Sequence, residues 1–149
     1  MKKIGTLYEN WRLAFDIRSN ADKFPGNLVN IVRVGVNSDQ HSQLPAVFMK
    51  DGATLLEFRM ISNGNKNNGY VEKIQSKSIP VGDWTHVEIS QFDFKDKFFF
   101  VVRINGVEIH RSANSNPGVY SNTMLYQNDH VLQTSSTDIR NIVHETYGT

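Results

Sequence analysis

Two carboxylates facing each other across a cleft, or a histidine backed by an acid, are the means by which a chain without cysteine breaks bonds. This chain has fifteen acidic residues and five histidines, and no cysteine. The acids are not spaced for such work. Cleavage at a sugar carbon needs paired carboxylates, which on a strand means two or three at alternate positions of one face. Glu57 stands alone in LLEFRM, Glu88 stands alone in HVEIS, and Asp93 and Asp96 fall in an expected turn. No Gly-x-Ser-x-Gly elbow exists to present a nucleophilic serine, and His86, two residues after Trp84, reads as a strand side chain filling a face or a rim. The expectation is a protein that is not an enzyme, with glycosidase as the alternative that a close carboxylate pair would revive.

Binding groups are more plentiful. Three polar stretches, NSDQHSQ (37–43), SNGNKNNG (62–69) and YQNDH (126–130), carry amides, carboxylates and imidazoles that can bond hydroxyl groups. The candidate ligand-binding residues are Asp39, His41, Asn65, Asn67, Tyr70, Tyr126, Asn128, Asp129 and His130, with Tyr70 or Tyr126 as a stacking platform. The same compositions also describe plain solvated turns, since asparagine and glycine tolerate positive φ and leave nothing to bury.

These residues need a scaffold, and the chain spells one out in strands. WRLAFDIR (11–18) alternates strictly, with Trp11, Leu13, Phe15 and Ile17 on one face. LVNIVRVGV (28–36) is β-branched and apolar on both faces, as in a central strand. AVFMK follows Pro45, Asp51-Gly52 marks a hairpin into TLLEFRMI (54–61), and residues 69–75 form a short strand. Residues 79–111 then read as three consecutive antiparallel strands, with Asn105-Gly106 as a type I′ turn and Val87, Ile89, Phe98, Phe100, Val102 and Ile104 as interior residues. Phe99 and Val101 fall on the opposite face, as an oligomer contact or under a neighbouring element. After VEIH, RSANSNPG reads as a loop, and VYSNTMLYQ (119–127) and TDIRNIVHE (137–145) are the last strands. About ten short strands with turn signals every 8–12 residues and no useful amphipathic helix predict an all-β antiparallel two-sheet β-sandwich of jelly-roll type.

At 149 residues one domain spanning 1–149 is expected, able to bury a core without staples. Sixteen basic residues balance fifteen acidic ones without blocks of either sign, so no footprint for nucleic acid is present. The longest apolar run, residues 98–102, is too short for membrane insertion. The start MKKIGTLYENW lacks the apolar core of a signal peptide. Two settings remain open: an extracellular or secreted module whose leader is not in this chain, or the cytoplasm.

WRLAFDIR, VGDWTHVEIS (81–90) and FFFVVRINGVEI (98–109), with MLYQND and DIRNIV near the end, resemble the concanavalin A-like lectin/glucanase superfamily, laminin G-like and pentraxin-like modules in particular. The resemblance implies a jelly roll whose last strand returns beside the first. It also implies a non-catalytic, lectin-like module for carbohydrate or glycoprotein in cell-surface or matrix adhesion. Calcium is a further implied ligand, for which the loops offer Asp39, Asp51 and Asp129, although no acidic pair matches the family's motif. A protein-binding or self-associating homo-oligomeric module without a sugar ligand is the alternative reading.

Overall fold

The computed structural model of the chain describes residues 2–20, 29–36, 42–50, 55–62, 70–127 and 137–148. Every regular element among them is a strand: β1 (Lys2–Leu7), β2 (Asn10–Ser19), β3 (Val29–Val36), β4 (Ala46–Lys50), β5 (Leu55–Ser62), β6 (Tyr70–Gln75), β7 (Thr85–Phe94), β8 (Lys97–Ile104), β9 (Val107–Asn114), β10 (Tyr120–Gln127) and β11 (Thr137–Tyr147). They form two antiparallel sheets, a six-stranded one in the order β1-β10-β3-β4-β5-β6 and a five-stranded one in the order β11-β2-β7-β8-β9. No helix among the described residues is long and apolar enough to cross a membrane.

Alternation decides which face of each strand meets the other sheet. On β2, Trp11, Leu13, Phe15 and Ile17 are all buried in the core, as their spacing predicts. Val87 and Ile89 on β7 and Phe100 and Val102 on β8 join them, and from the six-stranded sheet come Val32, Val34, Val47, Leu56, Phe58 and Leu125. Two expected interior residues are less deep: Ile104 packs against the core from a half-buried position, and Phe98, near the start of β8, is half-buried. Conversely Val101, on the outward face, is fully buried. Arg111 is its cross-strand partner and lies over the neighbouring Phe99 ring at 5.5 Å. A long side chain of the same face thus lies over Phe99.

The two hairpins of β7-β8-β9 turn on positive-φ pairs. Lys95 (φ 51°) and Asp96 (φ 65°) make the first, and Asn105 (φ 50°) and Gly106 (φ 80°) the second. Strand assignments differ from expectation at β7, which runs through Asp93, an expected turn residue, and at two further strands. β1 was not anticipated, and β9 continues through Arg111, Ser112, Ala113 and Asn114, which read as loop. Both are edge strands, where one face and one row of hydrogen-bonding groups meet water, so the apolar alternation that marks a strand is weak. Three of the four edges also carry register shifts: β1 at Gly5 and Leu7, β9 opposite Val102 and Arg103, and β11 between Arg140 and Val143. Such irregularities disfavour edge-to-edge pairing with other chains. At the remaining edge, Glu72 of β6 bonds across to β9, accepting from Ser112 Oγ at 2.9 Å and lying 2.5 Å from His110 Nε2, which ties the two sheets together.

Candidate functional site

The outward face of the six-stranded sheet is built from two cross-strand rows. In one, Tyr126 pairs with Arg33, Arg33 with Ala46, Ala46 with Arg59 and Arg59 with Lys73. In the next, Asn30, Phe48, Glu57 and Gln75 stand side by side. Directly opposite residues on one face touch, and here the contacts are specific. The Arg33 guanidinium carbon lies 4.2 Å from the Tyr126 ring centre, and that of Arg59 lies 4.5 Å from the Phe48 ring centre. Both pairs are within cation-π range.

Glu57 is only 6% exposed although it faces away from the core. A buried carboxylate is costly unless paired and hydrogen-bonded. Arg59, two residues on and so on the same face, supplies the pairing: its Nε donates to Glu57 Oε2 at 2.6 Å, and its Nη2 lies 2.5 Å from the same oxygen. Arg33 is held by a different device. Its Nη1 donates to the Ser42 carbonyl at 3.2 Å, while Ser42 Oγ accepts from the Val36 amide at 2.8 Å. Gly35 makes room for this, because a Cβ at that position would lie 2.3 Å from Arg33 Nη1 and 2.6 Å from Ser42 Oγ. Gly35→Ala is expected to push the guanidinium off Tyr126 and to destabilise the fold by about 1–3 kcal/mol through overpacking. Arginine Nε resonances and urea denaturation would read both effects, and an unmoved Arg33 resonance would refute the first.

Among the described side chains, the outward cations of this sheet are Lys3, Arg33, Arg59 and Lys73, and Glu57 is the one outward carboxylate. Of the candidate residues read from the sequence, Tyr126 lies in this face, with Arg33 over its ring. Tyr70 starts β6 opposite Ser62. Asp39, His41, Asn65, Asn67, Asn128, Asp129 and His130 lie outside the described residues, as does the Asp51-Gly52 turn. Of the described strand ends, Val36 and Ser62 are at one end of the sheet, whereas Gln127 is at the other. Among the described residues no group of three or more His, Asp or Glu is placed to hold a metal ion, and Asp39, Asp51 and Asp129 lie outside them.

The outward face of the five-stranded sheet differs in charge. Along β7 the outward positions run His86, Glu88, Ser90 and Phe92, with Trp84 just before the strand. Arg12 and Arg103 flank Glu88 at 3.3 and 3.5 Å, and Glu108 joins Arg103 at 3.7 Å and Arg111 at 2.8 Å. Beside Arg12 and Glu88, a shallow depression of about 510 Å³ lies between Phe92 and Tyr147. Farther along, Trp84 has the guanidinium carbons of Arg140 and Arg18 at 3.8 and 4.6 Å from its ring. His86 Nδ1 lies 2.7 Å from Asp16 Oδ1, and Arg140 Nε and Asn141 Nδ2 donate to Asp16 Oδ2. The hydrogen bonds from His86 and Asn141 hold the Asp16 carboxyl below the usual range. Five arginines and five carboxylates alternate here, namely Arg12, Arg18, Arg103, Arg111 and Arg140 with Asp16, Glu88, Glu108, Asp138 and Glu145.

The sequence reading missed Arg33, Gly35, Glu57 and Arg59 as a group. The R-x-G spacing of 33–35 and the E-x-R spacing of 57–59 put each pair on one strand face, and these were the available signals. Their juxtaposition depends on β3, β4 and β5 pairing in this register, which no local pattern reveals.

No family model matches the chain, and no curated protein matches it in sequence. Solved structures share its fold. The binding domain of botulinum neurotoxin DC, seen in complexes with rat synaptotagmin II and with SialylT, is 18% identical, with TM-scores of 0.60 and 0.58 over 92% of this chain and 32% of that one. An alginate lyase from Alteromonas sp. 272 is 9% identical, with a TM-score of 0.59 over 96% and 75% of the two chains. A native heptameric SAP-like pentraxin from Limulus polyphemus is 12% identical, with a TM-score of 0.54 over 97% and 66%. This chain spans about a third of the length of the toxin domain. Common to all of them is the architecture, and the chain folds as a two-sheet antiparallel jelly roll of the concanavalin A-like type.

Proposed function

We propose that the chain is a non-catalytic recognition module that binds carbohydrate on the outward face of its six-stranded sheet, favouring saccharides with acidic groups. The observation that carries this reading is the row Tyr126, Arg33, Ala46, Arg59, Lys73, in which two guanidiniums lie against aromatic rings on rigid strands. Arginine forks donate in fixed directions to carboxylate or hydroxyl oxygens, and holding them in place beforehand lowers the ordering cost of binding. The excess of cations over the single carboxylate favours an anionic ligand. Glu57 without a second described carboxylate on its face speaks against glycoside hydrolysis there. The toxin binding domain in complex with SialylT lends the reading support from a shared fold. An extracellular or secreted setting goes with it.

A glycan array with and without chelator tests the reading. Acidic glycans should be bound, and binding should weaken on the order of tenfold as salt rises from about 50 to about 500 mM, because exposed charges are screened. Lys73→Ala, an exposed change, should weaken it severalfold. A loss in chelator would bring calcium into the site. No binding to any glycan, together with dimerisation in sedimentation, would favour the protein-interaction alternative. That alternative has its own footing in Val107 and Ile109 of the edge strand β9, which are 65% and 40% exposed.

A further inference from the structure

We infer that the outward face of the five-stranded sheet carries a second saccharide site, in the depression between Phe92 and Tyr147, that takes an uncharged sugar. It rests on the reading of the chain as a glycan-recognition module. The depression, about 510 Å³, lies within the ~300–1,000 Å³ range of small-ligand sites. Four different strands contribute to it: Arg12 from β2, Glu88, Ser90 and Phe92 from β7, Arg103 from β8 and Tyr147 from β11.

Its chemistry fits a polyol. A sugar hydroxyl both donates and accepts, and so asks for carboxylate and guanidinium side by side. Glu88 lies between Arg12 (3.3 Å to Oε2) and Arg103 (3.5 Å to Oε1), contacts long enough to leave N–H groups and lone pairs free to bond a hydroxyl. Ser90 Oγ in the lining makes no hydrogen bond among the described residues. At the sides, Phe92 is half-buried and Tyr147 is 55% exposed, its hydroxyl 2.5 Å from Glu145 Oε2, so both present ring surface to the C–H face of a sugar. The balance of arginines and carboxylates on this face leaves no net field to select an anion, in contrast to the cationic face on the other sheet. Two sites on opposite faces of one sandwich cannot serve the same glycan unit. They would instead bridge two glycans, and the gain would be avidity.

The test is saturation-transfer NMR on the intact chain with the methyl glycosides of glucose, galactose and mannose. At least one should give transfer, and that signal should persist when the best acidic glycan from the array is present at saturation. Phe92→Ala and Tyr147→Ala should each reduce it at least about fivefold, by removal of a stacking ring. Thermal denaturation confirms folding, and exposed Tyr147 provides the variant least able to disturb the core. Transfer that survives both substitutions, or that the acidic glycan displaces, would overturn the second site. Acidic binding without any neutral binding would also overturn it and leave the proposed function standing, whereas binding of neither class would remove both.

Discussion

Phe100→Ala is expected to lower the stability of the fold by about 3–5 kcal/mol, a large part of the ~5–15 kcal/mol that holds a typical domain together. Phe100 is fully buried and belongs to β8, the second strand in the order β11-β2-β7-β8-β9 counted from the β9 edge inward. Its ring lies 6.4 Å from that of Trp11 on β2 and 6.1 Å from the imidazole of His110 on β9. Removing it deletes apolar surface from the core and leaves a cavity that a sheet, held by ladder hydrogen bonds on both sides of β8, cannot easily close. Phe94→Ala is the control: Phe94 is 55% exposed at the end of β7, and its loss should change stability by less than about 1 kcal/mol. Urea denaturation of both variants distinguishes burial from mere aromatic content. Equal shifts in the two midpoints would contradict the assignment of Phe100 to the core.

That core was legible in the sequence because its signals are local. Trp11, Leu13, Phe15 and Ile17 alternate within eight residues, and all four are buried. Asn105-Gly106 needs only its own two residues to specify positive φ, and it adopts it. Less could be read where the environment of a residue is set from elsewhere. The stretch at 111–114 has the composition of a loop, yet it pairs with β8 because Phe98, Phe99, Phe100 and Val101 present their backbone to it. Lys2–Leu7 owes its strand character to β10, more than a hundred residues away.

The candidate site was legible to a smaller degree for the same reason. Tyr126 was singled out as a stacking platform, but its ring lies against Arg33, whose position depends on Gly35 and Ser42. A glycine inside an apolar strand such as LVNIVRVGV signals that something approaches closely. What approaches it is fixed by side-chain geometry rather than by spacing. Glu57, isolated in the sequence, gains its meaning from Phe48 beside it and Arg59 two residues on.

Stability is expected to fall as pH drops from about 6.5 to about 4, and His144 supplies the main physical reason. His144 lies on β11 opposite Leu13, and its Nε2 is buried without a hydrogen-bond partner. Burial pushes its pKa down from 6.5 to about 4, the nearby Lys2 ammonium adds to the effect, and Glu145 opposes it. The folded state therefore holds the imidazole neutral while the unfolded chain takes up a proton near pH 6.5. The stability attached to the neutral form is fully present above that value, is lost progressively on the way down to about 4, and changes no further below it. At 1.36 kcal/mol per pKa unit, and with allowance for incomplete burial, the loss is roughly 1–3 kcal/mol. Asp16 and Asp138 also have lowered pKa values, from hydrogen bonds with His86 and Asn20 respectively, so their contributions disappear only at still lower pH. His144→Leu should then flatten the stability profile between pH 6.5 and 4 while leaving the acid limb in place. Urea denaturation at half-unit pH intervals would show this, and parallel wild-type and variant profiles across that window would mean that His144 is not the group responsible.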